Sequence, residues 1–214
     1  MNVKMKKSLI EQYKQLDSCT LSDAFDKLNI GQGGYIYPKQ MVSHTTICGP
    51  AYTVRYLPKV EHKIAFGNFL DDIPQGSVVV IDNQGRTDGS VWGDTMAFYA
   101  QKKGVEGTVI NGVYRDVGAI EALKYPVYAK GYSIKSGKDL VGVDATNVSI
   151  QMDEVLIRPN DLIFGDESGV IVIPFEYAEE ILEKAHQLKA QDDQLVENIM
   201  AGLSYEEAKS KKIE

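Results

Sequence analysis

VWGDTMAFYAQKKGVEGTVINGVYRDV, residues 91–117, carries the reading of the fold. Met96, Ala97, Tyr99 and Ala100 form an apolar face at helical spacing, Lys102 and Lys103 fall in what would be a last turn, and Gly104 supplies a stop. The spacing predicts a helix that begins near Asp94. GTVIN, residues 107–111, is a short apolar, β-branched run of the kind that suits a strand buried on both faces. DVGAIEALK, residues 116–124, then starts a second helix with Asp116 near its N-terminus. Upstream, SVVVID (Ser77–Asp82) is another buried-type run with an acidic end, followed by a glycine-bearing loop. The order is strand, helix, strand, helix. Two strands joined by a helix run parallel, and a right-handed crossover brings both C-terminal ends to one edge of the sheet. Asp94 and the pair Arg115-Asp116 are therefore expected to meet at that edge, where open α/β sheets place their ligands.

Outward from this centre the patterns are shorter. Leu9, Ile10, Tyr13 and Leu16 recur at helical spacing, and TLSDAFDKLNIG offers Thr20 as N-cap, Asp23 as a capping-box partner and Gly31 as a stop, giving a helical segment over about residues 1–31. GGYIYPKQ reads as loop, TTICGPAYTVRYL as one or two strands interrupted at Gly49-Pro50, and EHKIAFGNFLDDI as weakly helical up to Pro74. EVLIRPNDLIFGDESGVIVIP gives short strands separated by Pro159-Asn160 and by a turn at Glu167-Ser168-Gly169, the last two resembling a hairpin. A long amphipathic helix starts at Pro174, and Ser204 with Glu207 forms a capping box for a short final one, making a helical arm over about residues 174–214. With no repeat or low-complexity linker, a single domain over residues 1–214 is expected.

The 214 residues carry a net charge of −7, and the basic clusters Lys4/Lys6/Lys7 and Lys209/Lys211/Lys212 sit at the two ends. Nucleic acid is thereby a poor main partner, because phosphate binding needs a clustered basic surface. No apolar run follows the first lysines and no window approaches a membrane span, so no membrane association and a cytoplasmic address are expected. Cys19 and Cys48 are isolated and read as reduced, buried thiols. His44, His62 and His186 are scattered, which argues against a zinc site of the usual ligand set.

The residues expected at the sheet edge have complementary chemistry. Backbone N–H groups of the first turn, from Gly93 through Asp94 and Thr95 to Met96, can hold a carboxylate. Arg115 can add planar, two-point recognition of a carboxylate or a neighbouring keto oxygen. Asp116 is a hard oxygen ligand suited to Mg²⁺ or Mn²⁺, which one or two carboxylates hold together with water and substrate oxygens. Together they describe a 2-oxo acid chelated to a divalent metal. A plainer reading makes Arg115-Asp116 a local ion pair and both aspartates helix N-caps. Spacing alone favours the plainer one.

The stretch also resembles the signature of the family that joins regulator-of-ribonuclease-activity-A-like proteins with the class II, divalent-metal-dependent 4-hydroxy-4-methyl-2-oxoglutarate aldolases. In its enzymatic branch an acidic residue is followed, after twenty positions, by Arg-Asp; here Asp94 is followed by Thr95–Tyr114 and then Arg115-Asp116. TLSDAFDKL, ICGPAYTV, GSVVVIDNQG and PNDLIFGDESGVIVIP extend the similarity over Ser18–Ala185. The resemblance implies an α/β fold of the swivelling-domain kind, with β/β/α layers, βαβ units and a mixed sheet, assembled as a homotrimer or hexamer. It implies that Gly93–Met96 and Arg115 bind the pyruvoyl end of a 2-oxo acid, that Asp94 is the acidic catalytic partner of Arg115, and that Asp116 ligates Mg²⁺ or Mn²⁺. The activity implied is a lyase acting through a pyruvate enolate, as an aldolase or an oxaloacetate decarboxylase. The alternative is a non-catalytic regulator of an RNA-processing enzyme; those relatives typically lack the aspartate after the arginine, so Asp116 favours the enzyme branch. A binding module using the same anion cradle without turnover is a third option. Asn160 stands where relatives commonly have glycine. Sites in this family lie near subunit boundaries, and Asp166 and Glu167 are candidates to complete a neighbour's site, against the simpler reading of a solvated turn.

Overall fold

The computed structural model describes residues 5–42, 46–59 and 66–211. Helices α1 (Lys7–Tyr13) and α2 (Ser18–Leu28) precede the short strands β1 (Gly34–Ile36) and β2 (Lys39–Gln40) and the long strand β3 (Ile47–Pro58). The middle of the chain alternates as β4 (Val78–Arg86), α3 (Asp94–Lys102), β5 (Gly107–Tyr114), α4 (Val117–Leu123) and β6 (Val127–Tyr132). Then come β7 (Val141–Thr146), β8 (Ile150–Met152), β9 (Val155–Ile157), β10 (Leu162–Gly165), β11 (Val170–Ile173), α5 (Ala178–Met200) and α6 (Tyr205–Ser210).

The β-branched runs do what their burial demands. All eight residues of β5 are buried, and β4, β5 and β6 lie side by side in parallel, as strands connected by helices must. The main sheet runs β1-β11-β10-β3-β4-β5-β6-β2, with β7 paired to the far end of β3. Its other half is antiparallel, with β10 and β11 forming the expected hairpin. The result is a mixed α/β sheet of the anticipated class. Alternation along the strands sorts the core into layers. On one face, Ile47, Ala51, Val80, Val109, Ile163 and Val172 pack with the β8–β9 hairpin. On the other face, the β10–β11 half is covered by α1, α2 and α5 through Tyr13, Leu21, Phe164 and Ile181. The β4–β6 half carries Ile81, Trp92, Ala97, Ile110 and Ile120 under α3 and α4.

Several local expectations give way to tertiary context. The strand over residues 47–58 is not interrupted at Gly49-Pro50; it changes partner there instead. Ile47–Pro50 pair antiparallel with β10 and Ala51–Arg55 parallel with β4, so the missing N–H of Pro50 falls at the changeover. GGYIYPKQ is not all loop, because β1 and β2, three and two residues long, add to the sheet edges. Asp17, not Thr20, caps α2: its carboxylate accepts from the Thr20 N–H at 2.8 Å and from the Thr20 hydroxyl at 2.9 Å. The helix ends at Asn29 in the left-handed region rather than at Gly31. Tyr99 is partly exposed on α3, while Ala97 and Ala100 are buried. Leu70–Asp72 is a single 3₁₀ turn; residues 61–65 of the weakly helical stretch lie outside the described residues, as do His44 and His62.

Other expectations meet the structure directly. The Ser204–Glu207 capping box is formed. Asn160 adopts φ of 73°, the left-handed conformation that glycine adopts most easily and asparagine tolerates, so the turn keeps a shape suited to glycine. Cys48 is buried but Cys19 is exposed, and both are free thiols. Among the described residues no helix is long and apolar enough to cross a membrane.

Candidate active site

Residues 87–93 connect the end of β4 to α3, and the last of them run beside the end of β5. The Val91 N–H donates to the Val113 carbonyl at 3.1 Å, and the Arg115 N–H donates to the Trp92 carbonyl at 3.0 Å. This short zipper sets the N-terminus of α3 against Arg115 and Asp116, although twenty residues separate them in sequence. Trp92 anchors the floor, stacked on Tyr125 with ring centroids 6.3 Å apart. The Tyr125 hydroxyl lies 2.9 Å from Thr108 Oγ1, and burial pushes its phenol well above the usual range.

The Asp94 N–H meets Asp116 Oδ2 at 3.3 Å, and Arg115 Nε donates to the same oxygen at 3.0 Å. Asp94 Oδ1 accepts from the Thr95 N–H at 2.6 Å and from the Thr95 hydroxyl at 3.2 Å. A Cβ on Gly93 would come within 2.8 Å of Asp116 Oδ2 and 3.3 Å of Arg115 Cγ. Gly93 has φ of −152°, an extended conformation open to any residue, so here glycine serves close approach rather than backbone freedom. Asp116 holds the N-cap position of α4 with φ of 60° and makes no capping bond to that helix. The plain N-cap reading therefore fails for Asp116, whose carboxylate turns toward Gly93 and Asp94. The ion-pair reading is met in geometry, but side chains 42% and 29% exposed hold such a pair by only about 0–1 kcal/mol, weak enough for a ligand to open.

Gly93, Asp94, Thr95, Met96, Arg115 and Asp116 thus line one cleft, which Phe66, Ser90, Trp92 and Ser136 complete. Its volume is about 190 Å³. A larger groove of about 620 Å³ between α1 and α5 holds Leu9, Leu182 and His186 and none of the expected site residues. The α3 N-terminus is less open than expected: the Asp94 N–H already serves Asp116 and the Thr95 N–H serves Asp94, while the Gly93 and Met96 N–H groups make no hydrogen bond among the described residues.

The donors fit a small hard dication. Both hydrogen bonds of Asp116 fall on Oδ2 and both of Asp94 on Oδ1, leaving Asp116 Oδ1 and Asp94 Oδ2 without partners among the described residues. Among the described residues no trio of His, Cys, Asp or Glu is gathered there, so water and substrate oxygens would complete the shell, the habit of Mg²⁺. Asp82, the acidic end of β4, stays out of the cleft: buried, it accepts from Asn111 Nδ2 at 2.9 Å and from the Gln84 N–H at 2.8 Å. Asp166 is not solvated either. It accepts from the Ser18 N–H and hydroxyl, both at 2.7 Å, and from the Ser168 N–H at 2.9 Å, fastening α2 to the hairpin turn. Glu167 is exposed on that turn. Ser90, Ser136 and Phe66 have no motif of their own in the sequence; only the fold brings them to the cleft.

The sequence profile of the family described as RraA-like, Aldolase/RraA, matches residues 18–172. The chain belongs to the RraA-like family. Among its relatives, Protein DlpA of Legionella pneumophila is 35% identical over 205 residues, covering 94% of this chain but only 33% of DlpA, so the chain spans about a third of that protein's length. A Halalkalibacterium halodurans protein named "Putative 4-hydroxy-4-methyl-2-oxoglutarate aldolase" is 32% identical over 92% of each chain. A solved structure of an uncharacterized protein from Pseudomonas syringae pv. tomato superposes with a TM-score of 0.89 at 34% identity, covering 96% of this chain and 98% of that one.

Proposed function

We propose that this RraA-like protein is a divalent-metal-dependent lyase that cleaves the C3–C4 bond of a 2-oxo acid through the enolate of pyruvate. The observation that carries the reading is the gathering of Arg115, Asp116 and the α3 N-terminus in one small cleft, with the Asp116 carboxylate aimed away from the helix it would otherwise cap. The aldolase name of a relative aligned over nearly its whole length supports the lyase class.

Arg115 spends Nε on Asp116, leaving its two terminal amino groups to hold the substrate's carboxylate and ketone oxygen in one plane. The Met96 N–H takes a second carboxylate oxygen. Asp116, with Asp94 beside it, would hold Mg²⁺ or Mn²⁺. That cation would supply Lewis acidity at the ketone, drawing off the negative charge that develops as the bond breaks. In aldol cleavage the Asp94 carboxylate accepts the proton of the 4-hydroxyl, the C3–C4 electron pair moves onto C3, and Asp94 returns the proton to C3 to give pyruvate. In oxaloacetate decarboxylation the C4 carboxylate leaves as CO₂ and the same pair remains on C3. Among the described residues that line the cleft there is no lysine, in keeping with a route that forms no Schiff base. The resemblance extends the proposal to a trimeric or hexameric assembly, which light scattering on the purified protein reads directly.

The test is pyruvate release from oxaloacetate, with and without EDTA, by wild type and Asp116→Ala. Release well above the free-metal rate, lost on chelation, restored by Mg²⁺ or Mn²⁺ and absent in Asp116→Ala is expected. Equal rates for the two proteins at one free-metal concentration would return the pair to being a surface ion pair. No turnover together with one stoichiometric RNA-processing partner in pull-downs would establish the regulator reading instead.

A further inference from the structure

We propose that α5 pairs antiparallel with the α5 of a second copy of this chain across a two-fold axis, each copy laying the end of its helix into the groove that the other forms between α1 and α5. None of the residues involved lines the cleft, so the proposal is independent of the lyase reading.

The helix outruns the domain it covers. Its 23 residues span about 35 Å, yet the apolar side chains it buries, Ala178, Ile181, Leu182 and Ala185, all lie in its first eight positions. Asn198, buried near the other end, faces α6 and donates from Nδ2 to the Ala208 carbonyl at 3.5 Å. Elsewhere on the same end Val196 is 54% and Met200 83% exposed.

Leu182, His186, Lys189, Asp193, Val196 and Met200 follow one another at intervals of four, three, four, three and four residues. That is the seam spacing of a two-stranded coiled coil, and it sets all six on one stripe along α5. At 3.6 residues per turn Asn198 is turned about 160° from the line of Leu182, so α6 leaves the stripe clear. At its inner end the stripe enters the groove of about 620 Å³, which Leu182 and His186 line together with Leu9 of α1. At its centre Lys189 and Asp193 lie 3.1 Å apart with side chains 41% and 61% exposed.

The stripe complements itself in one arrangement. Parallel pairing in register would set Lys189 on lysine and Asp193 on aspartate. Antiparallel pairing centred level with residue 191 sets Leu182 opposite the partner's Met200, His186 opposite the partner's Val196 and Lys189 opposite the partner's Asp193, with the same three contacts repeated in reverse. A shift of one heptad in either direction would put Leu182 against aspartate or Met200 against lysine. Only the first arrangement joins apolar ends to each other and opposite charges at the middle. Methionine, unbranched and flexible, suits an open groove with Leu9 and Leu182 in its lining.

The experiment reads the mass of the full chain by light scattering across a range of concentrations. A two-fold contact doubles whatever assembly the rest of the surface makes, so breaking it halves the mass. Met200→Glu should do so. Lys189→Glu and Asp193→Lys should each raise the concentration of half-association at least about tenfold, because like charges then face each other twice. Mixing these two variants should restore the wild-type mass, since the acidic pair of one meets the basic pair of the other; damage to the helix itself could not be repaired by mixing. A thermal melt identifies any variant that has unfolded, and the exposed charge variants carry the test if Met200→Glu does. Unchanged mass in folded Met200→Glu overturns the proposal, as does a mixture that stays at the mass of its components. A wild-type chain that never pairs overturns it too and leaves the stripe to a different protein.

Discussion

Gly93→Ala isolates the geometry of the site from the stability of the fold. The new methyl would sit 2.8 Å from Asp116 Oδ2, where ordinary contact begins at 3.4 Å. The carboxylate must therefore retreat by several tenths of an ångström, and Arg115, which shares that oxygen and whose Cγ would lie 3.3 Å from the methyl, must follow. A misplacement of about 1 Å in a reacting constellation costs on the order of 100-fold in rate, so a loss of roughly 10- to 100-fold in kcat is expected. That corresponds to about 1.4–2.7 kcal/mol of transition-state stabilisation. Stability should hardly move. The extended backbone suits alanine, and the unfolded-state gain of about 0.4–1 kcal/mol offsets the poorer N-cap. The assay is metal-dependent pyruvate release alongside a thermal melt, with Tm expected within about 4 °C of wild type. Wild-type activity in a folded Gly93→Ala protein would refute the claim that Asp116 acts from the position it occupies here.

If the proposed lyase reading holds, Arg115→Lys stays at least tenfold impaired at saturating metal, because a point-charge ammonium cannot replace the planar fork that this reading has bridging Asp116 and substrate. Thr95→Ala should change kcat/KM less than threefold, since it removes only an exposed 3.2 Å bond to Asp94 and leaves the backbone donors in place; a dead variant would show that the hydroxyl itself contacts substrate. Borohydride added with pyruvate should leave no lysine adduct by mass spectrometry, and an adduct would contradict the metal-dependent route. At pH 8 a thiol reagent should modify one cysteine in native protein and two after denaturation. Burial pushes the Cys48 thiol up to about 12, so it is neutral well above the reaction pH, whereas Cys19 is exposed.

The parts of the fold that could be read in the sequence are those whose partners lie close along the chain. SVVVID, GTVIN and the helix between them need only each other, and their meeting at Asp94 and Asp116 follows from connection rules. The β10–β11 hairpin is local in the same way. The residues around β6, β7 and β8 are harder, because Lys130 and Gly131 break the apolar run and β7 is defined by pairing with β3, nearly a hundred residues earlier. The continuity of β3 through Pro50 depends on a change of neighbour that no local signal encodes. Arg115 and Asp116 were legible through spacing and resemblance together. Ser90 and Ser136 were not, because their pairing across the cleft exists only once residues 135–137 fold back.

The change of partner along β3 also governs the order in which the protein can be completed during synthesis. Its residues 51–55 find β4 soon after they are made, and the parallel β4–β6 block needs nothing beyond Tyr132. Residues 47–50 must wait for β10, whose last residue is Gly165, and β1 waits longer still for β11. A nascent chain that has already assembled β4, β5 and β6 therefore still shows an unpaired apolar edge containing Ile47 and Cys48. Contacts this distant in sequence form slowly, so that edge is where an emerging chain is open to wrong pairing and where a chaperone would find it.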